Sequence, residues 1–179
     1  LWELDVRDAT FSNVVSEARR ALARGVEPPP GEEWVGRTLT EELPLHPLVR
    51  TDAELLAEAL DRSRPLAPRQ AIAVLDPAVA LLEGMPFEGT SYLWPDPEGL
   101  TSHLVLLATA AAAELAERYL SVDDVEGVFR ATDRGLRVLP GHEELIGLRM
   151  QAHARVGDHA GVRLEWDTYQ RTLLADPWS

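Results

Sequence analysis

The stretch ATFSNVVSEARRALARG, residues 9–25, carries side chains that proteins use to read DNA. Arginine, asparagine and serine hydrogen-bond phosphates and base edges, and here they face away from an apolar stripe at helical spacing. Arg19 and Arg20 of this stretch, with Arg37 and Thr38 of a later segment, are the candidate phosphate contacts. The sequence therefore predicts a DNA-binding surface made of these side chains: Asn13, Ser16, Arg19, Arg20, Arg24, Arg37 and Thr38.

The charge of the chain opposes this prediction. Ser12, Ser16 and Glu17 are neutral or negative, and phosphate repels the Glu17 carboxylate, although a carboxylate can accept from the cytosine amino group. The net charge is −13: residues 1–50 hold 6 Arg against 9 acidic residues, and residues 51–179 hold 11 Arg against 21. Because an acidic body does not bind phosphate backbones non-specifically, only the N-terminal part is a candidate for DNA contact.

A helix and a hairpin have to position these side chains. Apolar residues at helical spacing predict a helix over residues 9–24, which Gly25 can end. Weak alternation of apolar residues then predicts two short strands at about 34–39 and 43–49, with a turn near Glu41.

From Thr51 onward the pattern is helical, and about six helices are expected. Pro77 is expected to kink or split the second of them. The long loop at 85–99 holds aromatic residues, which are expected to anchor it to the core. Caps, breakers and apolar spacing predict helices at these ranges: 53–63, 67–84, 99–120, 123–138, 141–155 and 158–174.

The C-terminal half contains an internal repeat. VDDVEGV at 122–128 and VGDHAGV at 156–162 match at Val, Asp, Gly and Val, and Leu139 and Leu173 keep the same register. The offset between the two copies is that of tetratricopeptide repeats, which place two helices in a unit of about 34 residues. In such arrays a hairpin cannot bury its apolar face alone, so we expect neighbouring hairpins to stack.

These segments resemble two adjacent modules of actinobacterial regulators. ATFSNVVSEARRAL is similar to the recognition helix of the winged helix in response regulators and antibiotic regulatory proteins, and the segment from WVGR to LPLHPLV is similar to their wing. Residues 51–179 resemble the bacterial transcriptional activator domain, an all-helical tetratricopeptide-like module. YLWPDPEGLTSHLVLL, GLRVLPGHEELIGLRMQAHARVGD and LLADPWS are most similar to the branch that ends large LysM-containing actinobacterial proteins.

The resemblance implies a mainly α fold in two parts. Residues 1–50 are then a partial winged helix-turn-helix, with the recognition helix at 9–24 and the wing at 34–49. Residues 51–179 are then tetratricopeptide-like hairpins. The implied function is transcription regulation, with promoter DNA bound by the first part and RNA polymerase, another protein or a second copy bound by the second. The implied location is cytoplasmic, with a membrane tether possible elsewhere in a longer protein.

A second function stays open beside this one. The helical part can be a protein-interaction module without DNA binding, at the C-terminus of a large envelope-associated or signalling protein. Its acidic surface then favours a basic partner. A positive strip formed by Arg19, Arg20, Arg24 and Arg37 would favour DNA binding, and its absence would favour protein interaction.

Other chemistry finds little support in the sequence. The chain has no cysteine, its five histidines lack metal-ligand spacing, and it contains no glycine-rich phosphate loop. His153 lies where the repeat has Tyr119, so a packing role is expected for it. The apolar run at 103–120 is expected to be too short and too charged to cross a membrane. We therefore expect no enzyme activity, no cofactor and no small-molecule substrate.

Overall fold

The structure of the chain is a computed structural model that describes residues 8–37, 44–91 and 95–175. The chain divides into two compact units, Leu1–Thr51 and Asp52–Ser179, called here the N-terminal unit and the helical unit. The described residues form seven helices and no strand longer than a single bridge. The prediction of a mainly α fold is therefore confirmed.

The N-terminal unit contains helix α1, Asp8–Gly25, within one residue of its predicted bounds at each end. Two strands are predicted after it, but in the part of the unit that the structure describes the pairing is one antiparallel bridge between Val35 and Leu45. Two backbone hydrogen bonds of 2.9 Å flank that bridge. The predicted turn near Glu41 lies outside the described residues. Prolines limit the pairing, because they lack the N–H that a longer ladder needs.

The helical unit contains six helices, the number that the sequence predicts. Five of them end or begin within about two residues of the predicted bounds, because capping residues and glycines mark those ends in the sequence. The helices are α2 Asp52–Ser63, α3 Pro68–Val79, α4 Leu100–Ser121, α5 Val125–Val138, α6 Glu143–Arg155 and α7 His159–Ala175.

Helix α3 differs from its prediction. It runs through Pro77 as one helix and ends two residues later, at Val79, rather than at residue 84. The expected split at Pro77 is therefore wrong. Proline lacks the N–H of one helical hydrogen bond and crowds the carbonyl group four residues earlier, and α3 continues for only two residues beyond it. Residues 80 and 81 form a turn, which the amide of Leu82 closes by donating to the carbonyl of Val79 over 3.1 Å.

Helix α4 is the centre of the helical unit. It contacts α2, α3, α5 and α6, and it carries ten of the buried residues, among them Leu115 and the run Ala111–Ala113. Among the described residues α4 is the one helix long and apolar enough to cross a membrane, so its prediction as too short and too charged is wrong by length and composition. Within that window 44% of the residues are buried inside the unit, so part of its apolar surface packs in the core.

The helices of this unit pack in sequential order. Each helix contacts the next one along the chain, and α4 also contacts α2 and α6, the helices two positions away on either side. Among the described helices α7 contacts α6 alone, and its one buried residue is Gly161. The last helix is therefore the least supported element of the unit.

The turns between α4 and α5 and between α6 and α7 have the same backbone. Asp123 and Gly157, at equivalent positions of the two repeat copies, both have left-handed backbone angles, with φ of 58° and 72°. At the next position a carboxylate caps the following helix: Asp124 accepts from the Gly127 amide at 2.8 Å, and Asp158 accepts from Gly161 at 2.9 Å. The two copies of the sequence motif therefore fold alike, down to their hydrogen bonds.

Each turn also places a ring against a glycine. A Cβ at Gly127 would overlap the Tyr119 ring, and a Cβ at Gly161 would overlap the His153 ring. Tyr119 and His153 are equivalent in the two copies. The exchange of tyrosine for histidine between the copies therefore keeps a planar ring at this position. The packing role expected for His153 matches its position against the Phe129 ring, 4.7 Å between centroids.

Candidate functional site

The exposed side of α1 carries four of the seven predicted DNA-binding residues. Asn13, Ser16, Arg20 and Arg24 are all exposed, and their spacing places them on one face of the helix. Glu17 shares that face and is exposed as well. This face therefore combines two arginines, one carboxylate and neutral hydrogen-bonding groups.

Arg19 is held in place by its own unit. Its Nε donates to the Val35 carbonyl oxygen over 2.9 Å, and its Nη2 donates to the Gly36 carbonyl oxygen over 2.8 Å. The side chain is half-buried between α1 and the bridge. Two of its five N–H donors thus bind the backbone of the segment that follows α1.

Two further predicted contacts, Arg37 and Thr38, follow α1 in the sequence. Arg37 forms an exposed ion pair of 3.2 Å with Glu33, four residues before it. Thr38 lies outside the described residues. Arg20 and Arg24 donate to carbonyl oxygens of α1 itself, at Ser16 and Arg20, over 3.2 and 3.4 Å. Of the four arginines, Arg20 and Arg24 thus share an exposed face with Glu17, whereas Arg19 binds backbone carbonyl groups and Arg37 pairs with Glu33.

The N-terminal unit also contains a set of contacts that its sequence did not predict. The Trp34 indole N–H donates to the Val26 carbonyl oxygen over 2.7 Å, and its ring meets the His46 ring edge to face at 5.3 Å. His46 in turn contacts the Glu32 carboxylate. A tryptophan and a histidine on the two sides of a predicted hairpin were the available signal, since aromatic pairs form across such bridges.

The helical unit holds a cavity of about 550 Å³ between α2, α4 and the start of the loop after α3. We call it the α2–α4 cavity. Its polar lining side chains are two carboxylates, Asp52 and Glu83, and its apolar lining includes Leu56, Leu82, Met85, Leu104, Leu107 and Val138. A site of this size and lining accepts an apolar group.

The loop on one side of this cavity is strained. Phe87 lines the cavity and has φ of 62°, a left-handed angle that a residue with a bulky side chain rarely adopts. The backbone and the hydroxyl of Thr90 both donate to the Phe87 carbonyl oxygen, over 3.1 and 2.7 Å. Of the three aromatics expected to anchor this loop, Tyr92 and Trp94 lie outside the described residues.

A charged cluster joins the last three helices. Arg149 of α6 pairs with Asp133 of α5 and, over 2.8 Å, with Glu165 of α7, and it stacks over the Phe129 ring at 5.1 Å. His153 contributes through its Nδ1, 2.9 Å from Asp158. The hydrogen bond from the Gly161 amide lowers the pKa of the Asp158 carboxyl most, and the contact with His153 lowers it further.

A second polar contact ties α3 to α4. The Tyr119 hydroxyl donates to Asp76 over 2.8 Å, and the Arg130 guanidinium lies 5.5 Å from the centroid of the Tyr119 ring. Burial, followed by this hydrogen bond, raises the pKa of Tyr119. Both networks join neighbouring helices of the unit.

Among the described residues no group of histidines, aspartates and glutamates is arranged to hold a metal ion. Comparison with known proteins adds nothing to this picture, because no protein family, curated protein or solved structure matches the chain. The geometry therefore offers two candidate surfaces, the exposed face of α1 and the α2–α4 cavity.

Proposed function

We propose that the chain is part of a transcription regulator, and that its helical unit is a tetratricopeptide-like protein-interaction module of the bacterial transcriptional activator type. The observation that carries the proposal is the pair of matching turns, which recur at the spacing of the sequence repeat. Repeats of this length stack into arrays whose exposed surfaces bind other proteins. The resemblance of residues 51–179 to that domain supplies the regulatory context.

The order of helix contacts supports this proposal. In a stack of hairpins the first helices of neighbouring repeats touch each other, and each second helix touches the first helix of the next repeat. Helices α2, α4 and α6 make the first kind of contact, and the pairs α3–α4 and α5–α6 make the second. Three hairpins, α2–α3, α4–α5 and α6–α7, account for the described helices of the unit, and three repeats suffice for such an array.

Affinity capture with nuclease-treated extract of the source organism tests the proposal. Gly127→Ala places a Cβ against Tyr119 and disturbs the α4–α5 turn, whereas Gly147→Ala adds a Cβ where no atom lies within 4 Å. We expect a defined protein partner to bind the unchanged chain and Gly147→Ala, and to be lost with Gly127→Ala. The proposal would be refuted if no partner were captured from the nuclease-treated extract, or if neither substitution changed the capture.

DNA contact by α1 is the second candidate function. Asn13, Ser16, Arg20 and Arg24 share one exposed face, which is the arrangement of a helix in a major groove. Against it stand Glu17 on that face and the acidic charge of the chain. We rank it second because this face of α1 carries only two described arginines, Arg20 and Arg24, beside the Glu17 carboxylate.

Fluorescence anisotropy with labelled duplex DNA separates the two candidates. If α1 binds DNA, affinity falls steeply as salt rises, and Arg20→Ala with Arg24→Ala removes it. The matched control, Arg62→Ala with Arg69→Ala, removes two exposed arginines of the helical unit and leaves DNA binding unchanged. If the chain is an interaction module alone, no salt-dependent binding appears at moderate ionic strength.

A further inference from the structure

The α2–α4 cavity has an acidic mouth. Asp52 and Glu83 line it, and the Glu88 carboxylate lies against Gly84 at the same rim. None of these three carboxylates pairs with a cation in the described part of the chain. The Arg134 guanidinium approaches the wall, but it donates to the Leu82 carbonyl oxygen over 2.9 Å and is therefore engaged with the backbone.

The interior of the cavity is apolar and continues out of the mouth as exposed apolar surface. Leu56, on its floor, is 3% exposed, whereas Leu81 and Met85 are 44% and 41% exposed. Apolar side chains left in water beside an apolar cavity gain free energy when a partner covers them. A methionine at such a position adapts to partner side chains of different shapes.

The loop that bears Met85 contains a residue with an unfavourable backbone conformation. Phe87 holds a left-handed backbone angle, and two hydrogen bonds from Thr90 lock its carbonyl group. Strain of this kind is concentrated at binding sites, where the surrounding structure maintains it. The loop therefore gives the cavity a preformed wall.

We propose that the α2–α4 cavity binds a basic peptide segment of a partner protein, with apolar side chains in the cavity and lysine or arginine at the Asp52, Glu83 and Glu88 carboxylates. Charge complementarity decides the class of partner, since the rim is anionic and residues 51–179 hold 11 Arg against 21 acidic residues. An acidic segment would meet like charges at the mouth. The inference rests on the proposed protein-interaction function and specifies its site and its ligand.

Methionine methyl signals provide a direct test, because the chain has only two methionines, Met85 at the mouth and Met150 on α6. The complete chain is labelled with [methyl-¹³C]methionine, and the two signals are assigned with Met150→Leu. The probe is a twelve-residue peptide of leucine and lysine with blocked ends. We expect the Met85 signal to shift saturably with peptide concentration and the Met150 signal to stay in place.

Matched substitutions separate the site from the general charge. Asp52→Asn with Glu83→Gln is expected to weaken peptide binding about fivefold to tenfold, since two complementary charges are removed. Glu117→Gln with Glu143→Gln changes the net charge equally at exposed positions away from the cavity, and we expect less than a twofold effect. Equal weakening by both pairs would overturn the inference, as would equal shifts of both methionines.

Two control peptides complete the test. Replacing lysine with glutamate, or leucine with serine, is expected to abolish the Met85 shift. Binding of the glutamate peptide at the same strength would overturn the inference. A silent Met85 together with partner capture that depends on Gly127 would overturn the cavity inference and leave the interaction module standing, whereas failure of both experiments would end both proposals.

Discussion

A guanidinium that donates to two backbone carbonyl oxygens contributes to the stability of the fold. Arg19 connects α1 to Val35 and Gly36 in this way, whereas Arg20, next to it, is exposed and donates only within α1. Hydrogen bonds from charged donors contribute more than neutral ones. Arg19 therefore stabilises the N-terminal unit whether or not α1 meets DNA.

Arg19→Ala is expected to destabilise α1 by about 2 kcal/mol, because two charge-assisted hydrogen bonds are lost and two carbonyl groups lose their partner. Arg20→Ala is the matched control and is expected to change stability by less than about 0.5 kcal/mol, since its side chain is exposed. Hydrogen exchange of the α1 amides measures both. Equal protection in the two variants would contradict the structural role of Arg19.

Asp158 makes the stability of the α6–α7 turn depend on pH. The Gly161 amide, and then His153, lower the pKa of its carboxyl in the folded chain below the ordinary value of about 4. Such a group stabilises the fold above its unfolded pKa, and this stabilisation is lost as the pH falls through the folded pKa. The contribution is therefore present from about pH 4 upward.

Asp158→Asn is expected to be less stable than the unchanged chain at pH 7, because asparagine can cap Gly161 but carries no charge for His153. The difference between the two chains should shrink as the pH falls below about 4 and the aspartate becomes protonated. Urea titrations between pH 7 and pH 2.5 measure this difference. A difference that stays constant over that range would show that the Asp158 charge has no part in it.

At the scale of elements, the turns decide how the helices pair. Each repeat turn needs a left-handed residue, an aspartate cap and a glycine that admits a ring from the preceding helix. Asp123 fulfils the first requirement although it is not a glycine, which is tolerable because aspartate adopts this conformation more readily than most residues. Gly127 fulfils the third, because Tyr119 occupies the space of a Cβ.

Gly127→Ala is expected to destabilise the helical unit by about 2 kcal/mol, because overpacking forces the Tyr119 ring or the backbone to move. Gly147→Ala makes the same chemical change in the middle of α6, where the added Cβ has no atom within 4 Å. It is expected to stabilise the unit by about 0.5 to 1 kcal/mol, because alanine has a higher helix propensity than glycine. Thermal unfolding followed by circular dichroism compares the two. Destabilisation by both substitutions would refute the packing argument.

Several elements were predictable because local chemistry fixes them. The ends of α5, α6 and α7 follow from aspartates, glycines and Pro140, which act within a few residues. The end of α3 was not predictable, since the apolar pattern continues past Val79 into residues that form turns. Nor was the cavity, because Asp52, Leu82 and Val138 meet only through the packing of separate helices.

The candidate DNA-binding residues illustrate the same limit. Helical spacing predicted correctly that Asn13, Ser16, Arg20 and Arg24 are exposed together. It could not separate Arg19 from them, because the partners of Arg19 lie 16 and 17 residues away in an irregular segment. Hydrophobic periodicity predicts which residues of one helix share a face, but it does not predict hydrogen bonds to carbonyl groups distant in the sequence.

At the scale of the whole molecule, charge is the dominant long-range term. The helical unit uses several arginines in pairs, such as Arg118 with Glu114 and Arg155 with Asp123. Since residues 51–179 hold 21 acidic residues and 11 arginines, many carboxylates remain in excess. An excess of one sign destabilises the compact state through self-repulsion, and dissolved salt screens that repulsion.

Raising NaCl from 10 mM to 500 mM at pH 7 is therefore expected to stabilise the chain by about 1 kcal/mol, which is roughly 2–4 °C in Tm. The reason is that repulsion among excess carboxylates acts over longer distances than attraction within the exposed ion pairs, which each contribute little. Near the pI of about 4.7 the net charge vanishes, so the same salt increase should give no gain in Tm. Differential scanning fluorimetry at both pH values measures the effect. A Tm that falls with salt at pH 7 would mean that the ion pairs outweigh the excess charge, and it would remove the electrostatic basis for a basic partner.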